Sequence, residues 1–366
     1  MILIKGFCSL NPIFKLFFIS CTLSSLLTVY FIFNSASQTI YGIMSSSITM
    51  ILLIIYLIKF ASYPSKWKKG EILLLILIFI TVFHLPSHFI ASSSLTYKSK
   101  PKDELLMTID KYLLGWLIKD GQISLWIDNN NIIGRHKLLG KFINNTLQII
   151  YFFYYLVPYI TMHFINLLNC VREFLFRYQN KGFKSESYQR NWNNSLFLFS
   201  TYLLNCFFVF FVNTLIPATS PRKYLKRKFR HPLILSGLGK FLNQKCKEEK
   251  SANSFPSGHV AETLSIALSY IATKEYDIGL TVLIISFFIS LATLFLRYHY
   301  FCDILIGIFL AILSFFINYC FGYKIYYKNI SKIKREKNKN IKIINYSPES
   351  KEQMVLSEEI DTNFKL

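Results

Sequence analysis

The sequence predicts an all-α protein, a polytopic membrane bundle of about eight transmembrane helices. Three observations carry that reading. Hydrophobic residues make up 52% of the 366-residue chain, 35 of them Phe, and the mean hydropathy is +0.36. Apolar runs of about 20 residues recur along it, each long enough to cross the hydrocarbon core of a bilayer as a helix. The net charge is +21, yet the charges stand in loops between those runs and in the C-terminal tail. That placement reads as topology determinants and as contacts to phosphate or lipid headgroups, not to nucleic acid. The seven cysteines show no C-x-x-C pair and no metal-ligand spacing. Cys21, Cys206 and Cys320 lie in or beside apolar runs, where cysteine behaves as a small hydrophobe.

Taken in order, the first span covers about 13–33, with Lys5 and Lys15 at its start. A cleavable signal peptide is the rival, since Ser35-Ala36-Ser37 follows, but the run is long for one and favours a retained helix. The second span covers about 40–60 and the loop after it carries Lys66, Lys68 and Lys69. The third runs from about 72 to 95. The segment 103–142 places Leu105, Leu106, Ile109, Leu113 and Leu114 at helical spacing among charges, which predicts an amphipathic helix at the membrane surface. Asp110 and Trp116 on it read as parts of that anchor. The fourth span, about 143–168, is aromatic (Tyr151 to Tyr155) and contains Pro158. A basic loop at 171–193 leads to the fifth span, about 195–217. A long basic loop, 218–256, precedes the sixth, seventh and eighth spans at about 258–273, 277–296 and 303–323. The stretch from Lys324 to Lys342 carries eight Lys or Arg and one Glu, and the polar end beyond it reads as disordered.

With the N-terminus placed in the cytoplasm, the basic loops at 61–71 and 171–193 and the basic tail fall inside, and the uncharged turn at 34–39 falls outside. The loop at 218–256 is the exception, outside and strongly basic, and an anionic substrate is the natural reason. Three chemically loaded stretches then share the non-cytoplasmic face. They are Pro217–Arg222 with the basic residues after it, Ser254–His259, and Leu296–Asp303.

Ser254-Phe255-Pro256-Ser257-Gly258-His259 stands at the start of a helix, where free N–H groups and the helix dipole favour an anion. The plainer alternative is a Ser257 helix cap beside a surface histidine. His299 and Asp303 are four apart and share a helix face. A carboxylate on one imidazole nitrogen fixes the tautomer and leaves the other nitrogen free to attack; the alternative is a buried structural hydrogen bond. Two histidines, one aspartate and nearby arginines suit phosphoryl transfer. One histidine takes the phosphoryl group, the second protonates the leaving alkoxide, and arginines with backbone N–H groups hold the phosphate oxygens. No carboxylate cluster of the kind that binds Mg²⁺ accompanies them, so the expectation is metal-free chemistry without a cofactor. His84 and His88 form a second i, i+4 pair in the third span but lack an acidic partner and read as structural. Glu262, one turn after His259, reads as a helix cap or an exposed residue, with tuning of that histidine or contact with a headgroup as the alternative.

These residues resemble the signatures of the type 2 phosphatidic acid phosphatase superfamily, the membrane lipid phosphate phosphatases. The chain looks closest to the inositolphosphotransferase branch, which includes inositol phosphorylceramide synthases. The family's P-S-G-H signature is complete at Pro256, Ser257, Gly258 and His259, and the H-x-x-x-D core of its third signature is His299 and Asp303. The resemblance covers roughly 72–323 and implies a six-helix catalytic core there. Residues 1–71, with two helices and a basic loop, and the tail 324–366 lie outside it. It implies that His299 is the nucleophile, that Asp303 orients it and that His259 is the general acid. It implies phosphate binding by Ser257, the Gly258 amide and Arg297. Two departures matter. The usual arginine six residues before the histidine is Thr293 here, and Arg297 lies two before it, as in the inositolphosphotransferase-like branch. The first signature, K-x6-R-P, is imperfect, because His231 separates Arg230 from Pro232 after Lys223. Arg222, after Pro221, is the rival to Arg230 and is favoured for its place at the end of the fifth span; Lys223 is the weaker member.

The expected function is a multi-pass membrane lipid phosphatase working through phosphohistidine, with a lipid phosphate and the bilayer as partners. The alternatives are a transferase that moves a phospho-headgroup to or from inositol or a sphingolipid, and a transporter. A transporter predicts charged residues deep in several spans, and these spans are nearly free of charge.

Overall fold

The computed structural model describes residues 100–130, 137–158, 160–161, 186–247 and 253–325, with isolated positions between 12 and 26 and between 327 and 331. The spans expected at 40–60 and 72–95, with His84 and His88, lie outside the described residues, as do most of the first span, of the loop at 171–193 and of the tail.

Among the described residues the structure is all-α. The elements are α1 (Asp103–Leu114), a 3-10 turn (Lys119–Gly121), α2 (Ile123–Asn129), α3 (Lys137–Pro158), α4 (Glu186–Leu215), α5 (Pro221–Tyr224), α6 (Gly237–Lys247), α7 (Gly258–Ala272), α8 (Tyr276–Phe295) and α9 (Phe301–Asn318), which continues as a π-helical turn, Tyr319–Tyr323. The one β contact is an isolated parallel bridge between Ala218 and Asn253.

The segment expected as one surface helix is broken into α1 and α2. Gly121 sits at φ +67°, and a Cβ there would lie 2.4 Å from the Lys111 Cα. Only glycine lets the chain double back so closely on α1. The stretch 218–256, expected as a loop, contains the short helices α5 and α6, and Pro221 stands in the first turn of α5, where its missing N–H costs nothing. The later helices keep close to the expected bounds.

Among the described residues, three helices are long and apolar enough to cross a membrane, Asn193–Leu215 within α4, Tyr276–Phe295, and Phe301–Tyr323. At fifteen residues α7 is shorter than a full crossing. It lies centrally, against α3, α4, α8 and α9. The outward faces of α8 and α9 expose Ile284, Phe287, Phe309 and Phe316, an apolar surface suited to lipid rather than to water.

Polar side chains fix helix register within the bundle. Ser200 donates to Asn318 at 2.6 Å, and Asn213 donates to the Phe255 carbonyl at 2.8 Å. Gly307 of α9 meets the start of α7 so closely that a Cβ would fall 2.7 Å from the Ser257 carbonyl oxygen. The C-terminus of α4 and the N-termini of α7 and α9 therefore gather at one end. Backbone bonds join their connecting loops there: Ser254 N–H to Ala218 O (2.9 Å), Ser257 N–H to Asp303 O (3.0 Å) and Arg222 N–H to Arg297 O (2.9 Å).

Candidate active site

The three loaded stretches of the sequence meet at this end of the bundle, and a relay of ring nitrogens lies at their junction. Asp303, in the first turn of α9, is fully buried. Its Oδ2 lies 3.1 Å from His299 Nδ1 and accepts the Ser254 hydroxyl at 2.8 Å and the Tyr300 amide at 3.0 Å. An unprotonated carboxylate can only accept, so His299 Nδ1 carries the hydrogen and Nε2 carries the lone pair. That Nε2 faces His259 Nδ1 at 3.4 Å, with the two rings edge to face.

His259, at the second position of α7, is held by aromatic rings. Tyr154 lies 4.0 Å from it, centroid to centroid, and Tyr151 stacks on it at 4.5 Å. Tyr151 also stacks on Tyr298 at 4.2 Å, and the Arg222 guanidinium lies 5.3 Å from the Tyr298 ring centroid. A ladder of rings thus connects the arginine to the histidine, and the fourth-span aromatics form its middle.

Ser257 is the N-cap of α7, yet its side chain makes no cap bond. Its hydroxyl is buried and without a hydrogen-bond partner, as is Nη1 of Arg222. The Arg222 Nη2 is anchored on Asn243 of α6. The plain helix-cap reading of Ser257 is therefore not what the geometry gives. A buried donor left unsatisfied is costly, and two of them in the elements that meet beside the histidines fit an anion with several acceptor oxygens.

The other basic residues sit differently. Arg297 adopts φ +66° and turns its guanidinium to Asp128 of α2, with Nη2 2.8 Å from Oδ1 and 3.0 Å from the His231 carbonyl, while Phe229 lies under it at 4.0 Å. Burial holds the Arg297 pKa below its ordinary value, opposed by the Asp128 carboxylate. Asp128 also accepts the amides of Arg230 (2.6 Å) and His231 (3.1 Å). The side chains of Arg230 and Lys223 are exposed. Of the basic residues expected at the phosphate, half-buried Arg222 is the one with a buried, unpartnered guanidinium nitrogen.

Asp128 was not among the expected site residues, and a lone aspartate before three asparagines gives no signal of an ion pair 169 positions away. Asp110, read from sequence as part of a surface anchor, is buried, and so is Asp103 on the same helix. Burial raises both carboxyl pKa values, that of Asp110 to about 6, although each accepts hydrogen bonds that pull the other way. The Glu262 Oε2 accepts the phenols of Tyr154 (2.9 Å) and Tyr202 (3.0 Å), and Tyr154 is a ring that lies against His259. Among the described residues no three His, Cys, Asp or Glu side chains gather as metal ligands.

Residues 195–327 match the PAP2 superfamily. A PA-phosphatase related-family protein of Dictyostelium discoideum is 31% identical over 234 residues, which are 60% of this chain. The match spans 41% of that relative's length. No solved structure matches the chain.

Proposed function

We propose that the chain, whose residues 195–327 match the PAP2 superfamily, is a membrane enzyme of that kind, one that cleaves the phosphate ester of a lipid through a phosphohistidine. The observation that supports this most is the Asp303–His299–His259 relay, with distances of 3.1 and 3.4 Å, in a fold that also supplies the buried, unpartnered Arg222 Nη1 and Ser257 Oγ.

In the reaction, the substrate phosphoryl group enters between the two histidines and parts them. Its oxygens take hydrogen bonds from Arg222, Ser257 and the Gly258 amide, which hold charge as it develops. The His299 Nε2 lone pair attacks phosphorus while the ester P–O bond breaks. His259 gives its proton to the leaving alkoxide. The charge on the His299 ring is balanced by Asp303 at Nδ1. Water then attacks phosphorus as the P–N bond to His299 Nε2 breaks, His259 takes the water proton, and inorganic phosphate leaves with His299 restored. None of these steps calls on a metal ion, and metal independence is part of the proposal.

Arg297, expected to bind phosphate, has another part in this reading. With Nη2 on Asp128 it fastens the basic loop beside the site. Lys223 and Arg230, exposed on that loop, attract the anionic substrate rather than grip it. The charge distribution supports a multi-pass topology with both termini cytoplasmic and the site on the opposite face.

The test is purified protein with a panel of lipid phosphates, with and without inositol, following both free phosphate and new lipid products. Phosphate release that disappears in His299→Ala is the expected result. A new phospholipid formed only with inositol would make the enzyme a transferase of the same mechanism. Unchanged turnover in His299→Ala would end the phosphohistidine reading.

A further inference from the structure

Two buried carboxylates outside the histidine relay both come from α1. Asp110 is 1% exposed, and its two oxygens accept the first two amides of α9, Phe301 at 3.0 Å and Cys302 at 2.8 Å. Asp103, equally buried, accepts the Tyr300 phenol at 2.9 Å and the hydroxyl and amide of Thr219 at 2.9 and 3.2 Å. The two lie two turns apart on one face of α1. Leu106 between them is fully buried in a cluster with Ala218, Phe255, Tyr300 and Cys302.

The first turn of a helix leaves several amides without intrahelical partners. In α9 that turn also carries catalytic geometry. Asp303 caps it by accepting the Tyr300 amide on Oδ2, the same oxygen that meets His299 Nδ1. A turn held by Asp303 alone would let the carboxylate trade one duty against the other. Asp110 satisfies the next two amides from outside the helix, and Asp103 pins the Tyr300 side chain whose amide Asp303 caps. Both bonds come from a separate helix, so they fix where the turn stands as well as its shape.

We propose that Asp103 and Asp110 are positioning residues for the reaction, clamping the first turn of α9 so that Asp303 keeps His299 Nε2 aimed at phosphorus. This rests on the reading of His299 as the nucleophile. Reacting groups displaced by about 1 Å can lose about 10²-fold in rate, so the effect belongs in the chemical step and not in substrate affinity.

Rapid-quench measurement of acid-labile phosphoenzyme, on full-length protein with a lipid phosphate that the wild type turns over, separates the alternatives. Asp110→Asn keeps the side-chain shape but sets an N–H₂ against a backbone N–H. Its expected phosphoenzyme amplitude per molecule equals the wild type, its rate of formation falls about 10- to 100-fold, and KM stays within about twofold. Tyr300→Phe breaks one bond to Asp103 without changing charge, and its expected fall is about 3- to 10-fold with the same unchanged amplitude. It decides the matter by itself if Asp110→Asn does not fold. An amplitude that falls while the rate constant holds would mean a merely structural role and overturn the proposal. So would wild-type rates in both variants. Absence of any phosphoenzyme in the wild type would instead refute the nucleophile reading, and this proposal with it.

Discussion

His299 Nε2 and His259 Nδ1 lie 3.4 Å apart at the meeting of α7 and the turn before α9. They come from two stretches 40 residues apart in sequence, which the backbone bond from the Ser257 amide to the Asp303 carbonyl, 3.0 Å, ties together. The roles proposed for them differ because the surroundings differ. Asp303 holds the tautomer of one ring, whereas tyrosine rings hold the other.

That difference predicts a leaving-group effect. A general acid matters only when the departing oxygen needs a proton. His259→Ala should lower turnover of an alkyl lipid phosphate by about 10²- to 10⁴-fold. With an aryl phosphate, whose phenolate leaves unaided, the loss should shrink to a few-fold. His299→Ala should abolish both reactions. Equal losses of His259→Ala on both substrates would remove the acid role from His259.

Ser257→Ala isolates phosphate binding from helix capping. The hydroxyl is buried, makes no cap bond and has no partner. Its removal should leave the melting temperature in detergent unchanged or slightly raised, because relieving an unsatisfied buried group contributes about 1 kcal/mol or more. Activity should nonetheless fall about tenfold or more. A melting temperature lowered by several degrees would show that the hydroxyl caps α7 after all.

The parts of this site that were legible in the sequence are those where spacing alone brings residues together. His299 and Asp303 share a helix face at i, i+4, and Pro256–His259 marks a helix start by its own chemistry. Charge parity along the chain gathered Arg222 with them, and α7, α8 and α9 keep close to bounds set by apolar runs, whereas α4 begins at Glu186, nine residues before its run. What escaped depends on contacts between elements far apart in sequence. Asp128 holds Arg297 only because α2 folds beside the basic loop, and Tyr151 reaches both His259 and Tyr298 only because α3 lies along α7 and α8. Asp110 shows the limit most plainly. Its amphipathic surroundings point to a surface helix, and the helix does expose Tyr112 at 84% on its other side, yet the aspartate is 1% exposed and caps α9. Periodicity shows that a helix has two faces but not which other helix terminus one of them meets.

Gly307 provides a test of how closely α9 must approach α7. A Cβ there would lie 2.7 Å from the Ser257 carbonyl oxygen, a backbone atom that cannot rotate away. Gly307→Ala should push the helices apart, with a stability cost of about 1–3 kcal/mol. Because the displaced backbone carries Ser257, Gly258 and His259, phosphoenzyme formation should slow in the molecules that remain folded. Thermal unfolding and rapid-quench rates on the same preparation check both. Wild-type values for both would show that the approach is looser than the structure has it.

Asp110 makes stability depend on pH in a direction opposite to that of most carboxylates. Burial lifts its pKa from the ordinary 3.8 to about 6, although the Phe301 and Cys302 amides pull it down. The folded protein therefore binds this proton more tightly than the unfolded chain does. Below about pH 4 both states hold it, and the group contributes no difference. As pH rises from 4 to 6, the unfolded chain ionises first and is favoured. Above about pH 6 the deficit is constant, on the order of 3 kcal/mol. Asp110→Asn cannot ionise and lacks this slope. The melting temperature of the variant relative to wild type should thus be most in its favour at pH 7 and should decline as pH falls through 6 to 4. Asp103, whose pKa is raised in the same direction, is present in both proteins and largely cancels in the difference. Parallel melting curves across pH 4 to 7, measured by the same detergent assay, would show that the Asp110 carboxylate is not held in the buried site between α1 and α9.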